Sequence, residues 1–203
     1  MEFSKEFKAA ISEFSGKEKD KLIFRLLKKD RILSHRLYFE LIDPENADQK
    51  RLQMEDFIKT EVSAAAKRYG RTKYFLTHIR KISSKITEHV KITSDKFGEV
   101  SLNLLLISET LKKLPNSGDH YKLYIYFLNK IFRSLILTTK LEPDYFLDLR
   151  GNFEEVQTEI SKNKSLEQLT LQNGLFLSWL EPDNIPEQID LIFKQLKSEG
   201  LLR

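Results

Sequence analysis

Between Phe75 and Val90 the apolar residues fall at Phe75, Ile79, Ile82, Ile86 and Val90. Steps of three and four place all five on one side of an α-helix and would scatter them over both faces of a strand. The same period organises most of the chain. Phe3, Phe7, Ala10, Ile11 and Phe14 predict a narrow aromatic stripe on a helix from Glu2 to Phe14, which is expected to dock on the rest of the molecule. Leu22, Ile23, Leu26 and Leu27 predict a second helix running to about Lys29, and Leu33, Leu37, Tyr38 and Leu41 a third over Asp30 to Leu41, both turned inward. Met54, Phe57, Ile58, Val62, Ala65 and Tyr69 continue the helical series from Pro44 to Tyr69, with Gly70 as its stop. Val100 to Leu114 and Tyr121 to Leu137 are apolar around much of their circumference and predict two helices covered on several sides. Pro115-Asn116-Ser117-Gly118-Asp119 between them is a short turn, so the two are expected to lie antiparallel at the centre of the core.

Beyond residue 140, helices are expected near Asp144–Leu149, Phe153–Lys162, Leu166–Leu180 and Pro186–Glu199. Gly151, Asn163-Lys164-Ser165 and the Pro182 to Pro186 segment mark the breaks. Helix starts are signalled by Ser15 with Glu18, a capping box, by Asp43-Pro44 and by Thr93-Ser94-Asp95. Only 7 Gly and 5 Pro punctuate the chain, against 32% charged residues, so helices should be long and connections short. The expected fold is all-α, an irregular multi-helix bundle or short α-α superhelix of about eight to ten helices with no sheet. A single domain is expected over 1–203: residues 1–42 supply N-terminal helices, 44–140 the central long helices and 141–203 acidic C-terminal helices.

No fixed repeat period returns the same residues. The stretch Ser15-Gly16-Lys17-Glu18-Lys19-Asp20-Lys21-Leu22 through Leu33, Tyr38 and Leu41 resembles uncharacterised all-helical bacterial proteins related to HEAT-like α-superhelices. Because the resemblance consists of core and capping residues, it implies a fold relation and carries over no catalytic or binding residue.

Several chemistries can be set aside. With no cysteine, the chain offers no disulfide, thiolate nucleophile or cysteine-ligated metal site, which fits a reducing, cytoplasmic setting. Lys5, Glu6, Lys8, Glu13 and the Lys17 to Lys21 cluster interrupt any signal-peptide core. The longest apolar stretch, Leu123 to Leu137, is broken by Asn129, Lys130 and Arg133 and falls short of the roughly 20 residues of a membrane span, so no membrane partner is expected. His35, His78, His89 and His120 form no ligand motif. His78 and His89 share a helical phase but stand eleven residues apart, about 16 Å along a helix, too far for one metal ion. Asp144 with Asp148 and Glu154 with Glu155 read as carboxylates favoured at helix starts rather than an acid–base pair. No glycine-rich phosphate loop or nucleophile elbow is present. No cofactor, metal or catalytic residue is therefore expected.

Charge is distributed unevenly. Residues 1–59 hold 13 Lys+Arg against 12 Asp+Glu, residues 60–140 hold 15 against 6, and residues 141–203 hold 6 against 12. The basic middle includes Lys67, Arg68 and Arg71. It continues through Lys73, Arg80, Lys81, Lys85 and Lys91, which are the candidate contacts for phosphates or an acidic partner. Alternatively the arc is an ordinary solvated face, neutralised by the acidic end. Tyr69 and Tyr74 fall in the buried or half-buried phase of their helices, which disfavours base stacking there. Trp179, with Phe176, Leu177 and Leu180, is expected to seal the core. The composition favours a non-enzymatic interaction or scaffold protein whose partner is another protein. The alternative is a nucleic-acid-associated protein binding phosphates through the basic helix face. An enzyme is the third reading, with a closed site lined by His78, His89 and a carboxylate from the 100–137 region.

Overall fold

Ser4, Ser15, Asp30, Asn46, Asp95 and Asn163 each accept a backbone N–H with the side chain, and each starts an α-helix. The computed structural model describes residues 2–114 and 119–203. Among these the ten α-helices are α1 (Lys5–Ser12), α2 (Gly16–Lys29), α3 (Arg31–Leu41), α4 (Ala47–Arg68), α5 (Thr72–Thr93), α6 (Lys96–Leu111), α7 (Tyr121–Thr138), α8 (Asp144–Ser161), α9 (Lys164–Gln172) and α10 (Ile189–Ser198). No strand occurs among the described residues. Two short 3-10 turns, Leu177–Leu180 and Pro182–Asn184, link α9 to α10.

The capping box at Ser15 and Glu18 forms as read from the sequence. The start of α4 does not lie at Pro44. Asn46 and Gln49 exchange side-chain bonds with each other's backbone N–H, satisfying two orphan donors at once. Asp43 is occupied instead with the Glu45 N–H (3.0 Å) and with Lys50 (2.9 Å).

The core is built around α6, against which α4, α5, α7 and α8 all pack. Val100, Leu102, Leu104, Leu106 and Ile107 are fully enclosed. The expected pairing with α7 is present, and Asn103 accepts a 2.6 Å hydrogen bond from Lys130 Nζ near the middle of both helices. The turn at Pro115 to Asp119 has its residues 115–118 outside the described residues.

Two expectations in the C-terminal third are corrected. Gly151 does not divide α8, which runs unbroken from Asp144 to Ser161. Leu149, Phe153, Val156 and Ile160 make one buried stripe across it, and burying that stripe outweighs the roughly 1 kcal/mol that an internal glycine costs. A Cβ at position 151 would meet nothing within 4 Å. Gly151→Ala is therefore expected to stabilise the protein by about 0.5–1 kcal/mol and to raise the thermal midpoint by about 1–4 °C. A lowered midpoint in a thermal melt would contradict an unbroken, solvent-facing turn here.

The helix predicted from Leu166 to Leu180 stops at Gln172. Gly174 takes a left-handed φ of +72°, and a Cβ there would sit 2.7 Å from Leu196 Cδ2, so the chain must turn and only glycine fits. Asn173 then accepts the Leu202 N–H (3.0 Å), while Asn129 donates to the Leu202 carbonyl (3.0 Å), tying this segment to α7.

The N-terminal helices depart furthest from expectation. None of α1, α2 and α3 contains a buried residue. Phe3 and Phe7 stack on each other, ring centres 5.2 Å apart, and both remain exposed instead of docking on the core. Ile23, Leu26, Leu33, Tyr38 and Leu41, expected to face inward, are exposed as well. The arm is attached through α2 against α3 and α3 against α5. Leu22, Leu27 and Leu37 are half-buried in those contacts, while the rest of the stripes stays open because the core is already closed by α4 to α8.

Candidate functional site

Two surfaces carry unusual chemistry. The first lies at the foot of the N-terminal arm, where α3, α4 and α5 enclose a groove of about 430 Å³. Tyr38 and Phe39 from α3, Met54 from α4 and Ile92 from α5 make it mainly apolar. Ion pairs stand at its rim: Lys50 binds Asp43 and Glu45, and Lys85 binds Glu88 at 2.7 Å. The hydrogen bonds that the Lys50 ammonium donates to Glu45 and Asp43 hold it above its ordinary pKa, and the one that Glu88 accepts from Lys85 holds the Glu88 carboxyl below its own.

The second surface is a trough between α5 and α7, both of which rest on α6. One recess, about 280 Å³, is lined by Lys73, Thr77, Arg80, Asp119 and Lys122. The next, about 380 Å³, shares Arg80 and Lys122 and adds Tyr121, Tyr126, Asn129 and Arg203. The Tyr126 ring is a meeting point, with the Arg80 guanidinium and the Lys130 ammonium each 5.5 Å from its centre. Burial, reinforced by the charge of Arg133, pushes the Lys130 ammonium down to about 8. Its hydrogen bond goes to the neutral Asn103 amide. Among the described residues, Lys73, Arg80, Lys122, Lys130 and Arg133 form no ion pair.

The five cations singled out in the sequence do not share one surface. Lys73 and Arg80 enter the trough, while Lys85 turns to the other side of α5 and lines the groove. Lys81 and Lys91 are exposed and outside both. Nor does the acidic end cover them: among the described residues, Lys112–Glu155 at 3.2 Å is the ion pair joining the basic middle to residues 141–203. Tyr74, expected in a buried or half-buried phase, is 54% exposed, and Tyr69 is half-buried with Arg68 over its ring. Phe176 meets Trp179 edge-on at 4.9 Å but is itself exposed, so Leu180 and the half-buried Trp179 do the sealing.

Sequence reasoning missed Lys122, Tyr126, Lys130 and Arg133. They stand at steps of four, four and three on α7, a polar stripe on a helix otherwise noticed for its apolar residues. The histidines are dispersed. His78 pairs with Glu61 of α4 at 3.0 Å and His120 with Thr72 at 3.0 Å. At the far end of α5, His89 has a buried Nε2 without a hydrogen bond, 3.9 Å from Asp95. His78 and His89 thus face different partners and line no common pocket. Among the described residues no three His, Asp or Glu side chains are grouped to hold a metal ion, and no helix is long and apolar enough to cross a membrane. No family model, no curated protein and no solved structure matches the chain.

Proposed function

We propose that this chain is a helical interaction protein that binds another protein through the apolar side of α1 to α3 and the groove at their foot. One observation carries the reading. No residue in these three helices is buried: Phe24 and Leu41 are 63 and 76% exposed, Ile42 at the end of α3 is 65% exposed, and Phe7, Ile23 and Leu26 are exposed as well. Large apolar side chains left exposed in this number mark association sites more often than they mark ordinary solvent-facing helix. A specific interface needs about 1,000 Å² or more of buried surface, and a 40-residue arm with such stripes is large enough to contribute it. The rim ion pairs at the groove supply a polar border around an apolar centre, the usual anatomy of an interface.

Because the side chains are exposed, the double variant Phe24→Asp and Leu41→Asp should leave stability within about 0.5 kcal/mol of the parent. It should also abolish the capture of a specific protein from extract of the cells that make this chain, measured by quantitative mass spectrometry. Lys164→Glu, exposed on α9, which packs on α7 and α8, should retain that protein. Undiminished capture by the double variant would sink the reading.

A further inference from the structure

We propose that the trough between α5 and α7 binds the phosphodiester backbone of single-stranded nucleic acid, with Lys73, Arg80, Lys122, Lys130 and Arg133 as phosphate contacts and Tyr121 and Tyr126 as stacking surfaces. The site is separate from the N-terminal arm and does not depend on the protein-binding role proposed for it.

The charge arrangement is the first support. Arg80 and Lys130 meet at the Tyr126 ring, Arg133 stands one turn further along α7, and none of the three has a carboxylate at ion-pair distance among the described residues. Asp119 is the one acid lining either recess, and its Oδ1 already accepts the Tyr121 N–H at 2.8 Å. Asp119 in the recess and Glu99, whose charge reaches Lys130, are too few to balance these cations, which repel one another, and an anion in their midst relieves the repulsion. Burial first, and then the charge of Arg133, depress the basicity of the Lys130 ammonium.

Shape decides between ligands. Lys122 and Arg133 are eleven residues apart on α7, a rise of about 16 Å, so the cations extend over more than one phosphate. The recesses are continuous through Arg80 and Lys122. Helices that pack on a common neighbour at about 8–10 Å, each about 5 Å in radius, leave a gap no wider than about 10 Å between their surfaces. That gap admits a single strand and excludes a duplex. The rings fit the same ligand: Tyr121 is 47% exposed at the trough wall, and a ring between cations offers a base a π-face that does not depend on sequence.

The test is fluorescence anisotropy of a labelled mixed-sequence single-stranded DNA 12-mer titrated with the full chain. With about three phosphates engaged, the log–log salt slope should be about −2, so affinity should fall roughly 20-fold between about 50 and 200 mM salt. Lys122 and Arg133 are both exposed, so Lys122→Glu with Arg133→Glu should preserve the circular dichroism spectrum and weaken binding about tenfold or more. Arg80→Ala should reduce the slope by about one. Lys81→Glu with Lys91→Glu, equal in charge change but outside the trough, should stay within about twofold. The proposal is overturned by absence of binding at 50 mM salt, by equal affinity for a duplex, or by equal losses in the two double variants. Stronger competition by a poly-glutamate peptide than by unlabelled DNA would overturn it too, and would assign the trough to an acidic protein segment.

Discussion

Asp95→Ala is expected to destabilise the protein by about 3–5 kcal/mol, measured by urea denaturation at pH 7. The Asp95 side chain is 6% exposed and joins three helices. Its Oδ2 accepts from Arg51 Nη1 of α4 at 2.8 Å, and its Oδ1 caps α6 by accepting the Gly98 N–H at 2.7 Å. The imidazole of His89 on α5 lies 3.9 Å from it. Gly98 is part of the same device, since a Cβ there would collide with the carboxylate. Alanine would remove the cap of the helix around which the core is built, worth about 1 kcal/mol by itself. It would also strand Arg51, which is 17% exposed and held over the Phe97 ring at 4.6 Å, with only the exposed Asp48 as partner.

The pH dependence follows from the direction of the shift. Burial alone would raise the Asp95 carboxyl, but the nearby His89, the Gly98 N–H and Arg51 outweigh it and hold the group below its ordinary value of 3.8. A carboxyl depressed on folding contributes stability above its unfolded pKa and loses that contribution as pH falls through the folded one. The difference between parent and Asp95→Ala should therefore be constant from pH 5 to 7 and shrink below about pH 4. A loss under 1 kcal/mol at pH 7, or one that does not change on acidification, would refute this account of how α6 is anchored.

Phe153→Ala should cost about 3–5 kcal/mol, with an unchanged denaturant slope. Phe153 is fully enclosed where α8 meets α6, and its stripe continues on both sides of Gly151. Removing the ring opens a cavity that rigid helices on several sides close only in part. The contrasting substitution is Phe24→Ala, with the same chemistry on a residue 63% exposed, which should change stability by less than about 0.5 kcal/mol. Equal effects at the two sites would mean that the arm is packed like the core, and the argument for a free binding surface would fall with it.

The two phenylalanines also mark the boundary of what a sequence conveys. Each stands within a segment expected to be helical, and hydrophobicity gives no reason to rank one above the other. Local information sufficed wherever the deciding contacts lie within a turn or two. The helical period of the segments up to Leu137, the Ser15 box, the Asp95 cap and the apolar surroundings of α6 and α7 were all legible. Gly151 and Leu166–Leu180 were misjudged because the outcome there depended on distant atoms, the α6 surface that buries Leu149 to Ile160 and the Leu196 side chain that packs against Gly174 where the chain turns. The trough was invisible for the same reason: Arg80 and Lys130 are 50 positions apart and acquire a shared meaning only across the Tyr126 ring.

The sequence by itself determined that this protein is made of helices and where most of them begin, because periodicity and capping act through neighbours three or four residues away. Tertiary structure alone decided which stripes are buried, which stand open on the arm and which cations meet between α5 and α7. Burial and Coulomb energy depend on distance in space, which residue spacing within a single helix does not encode.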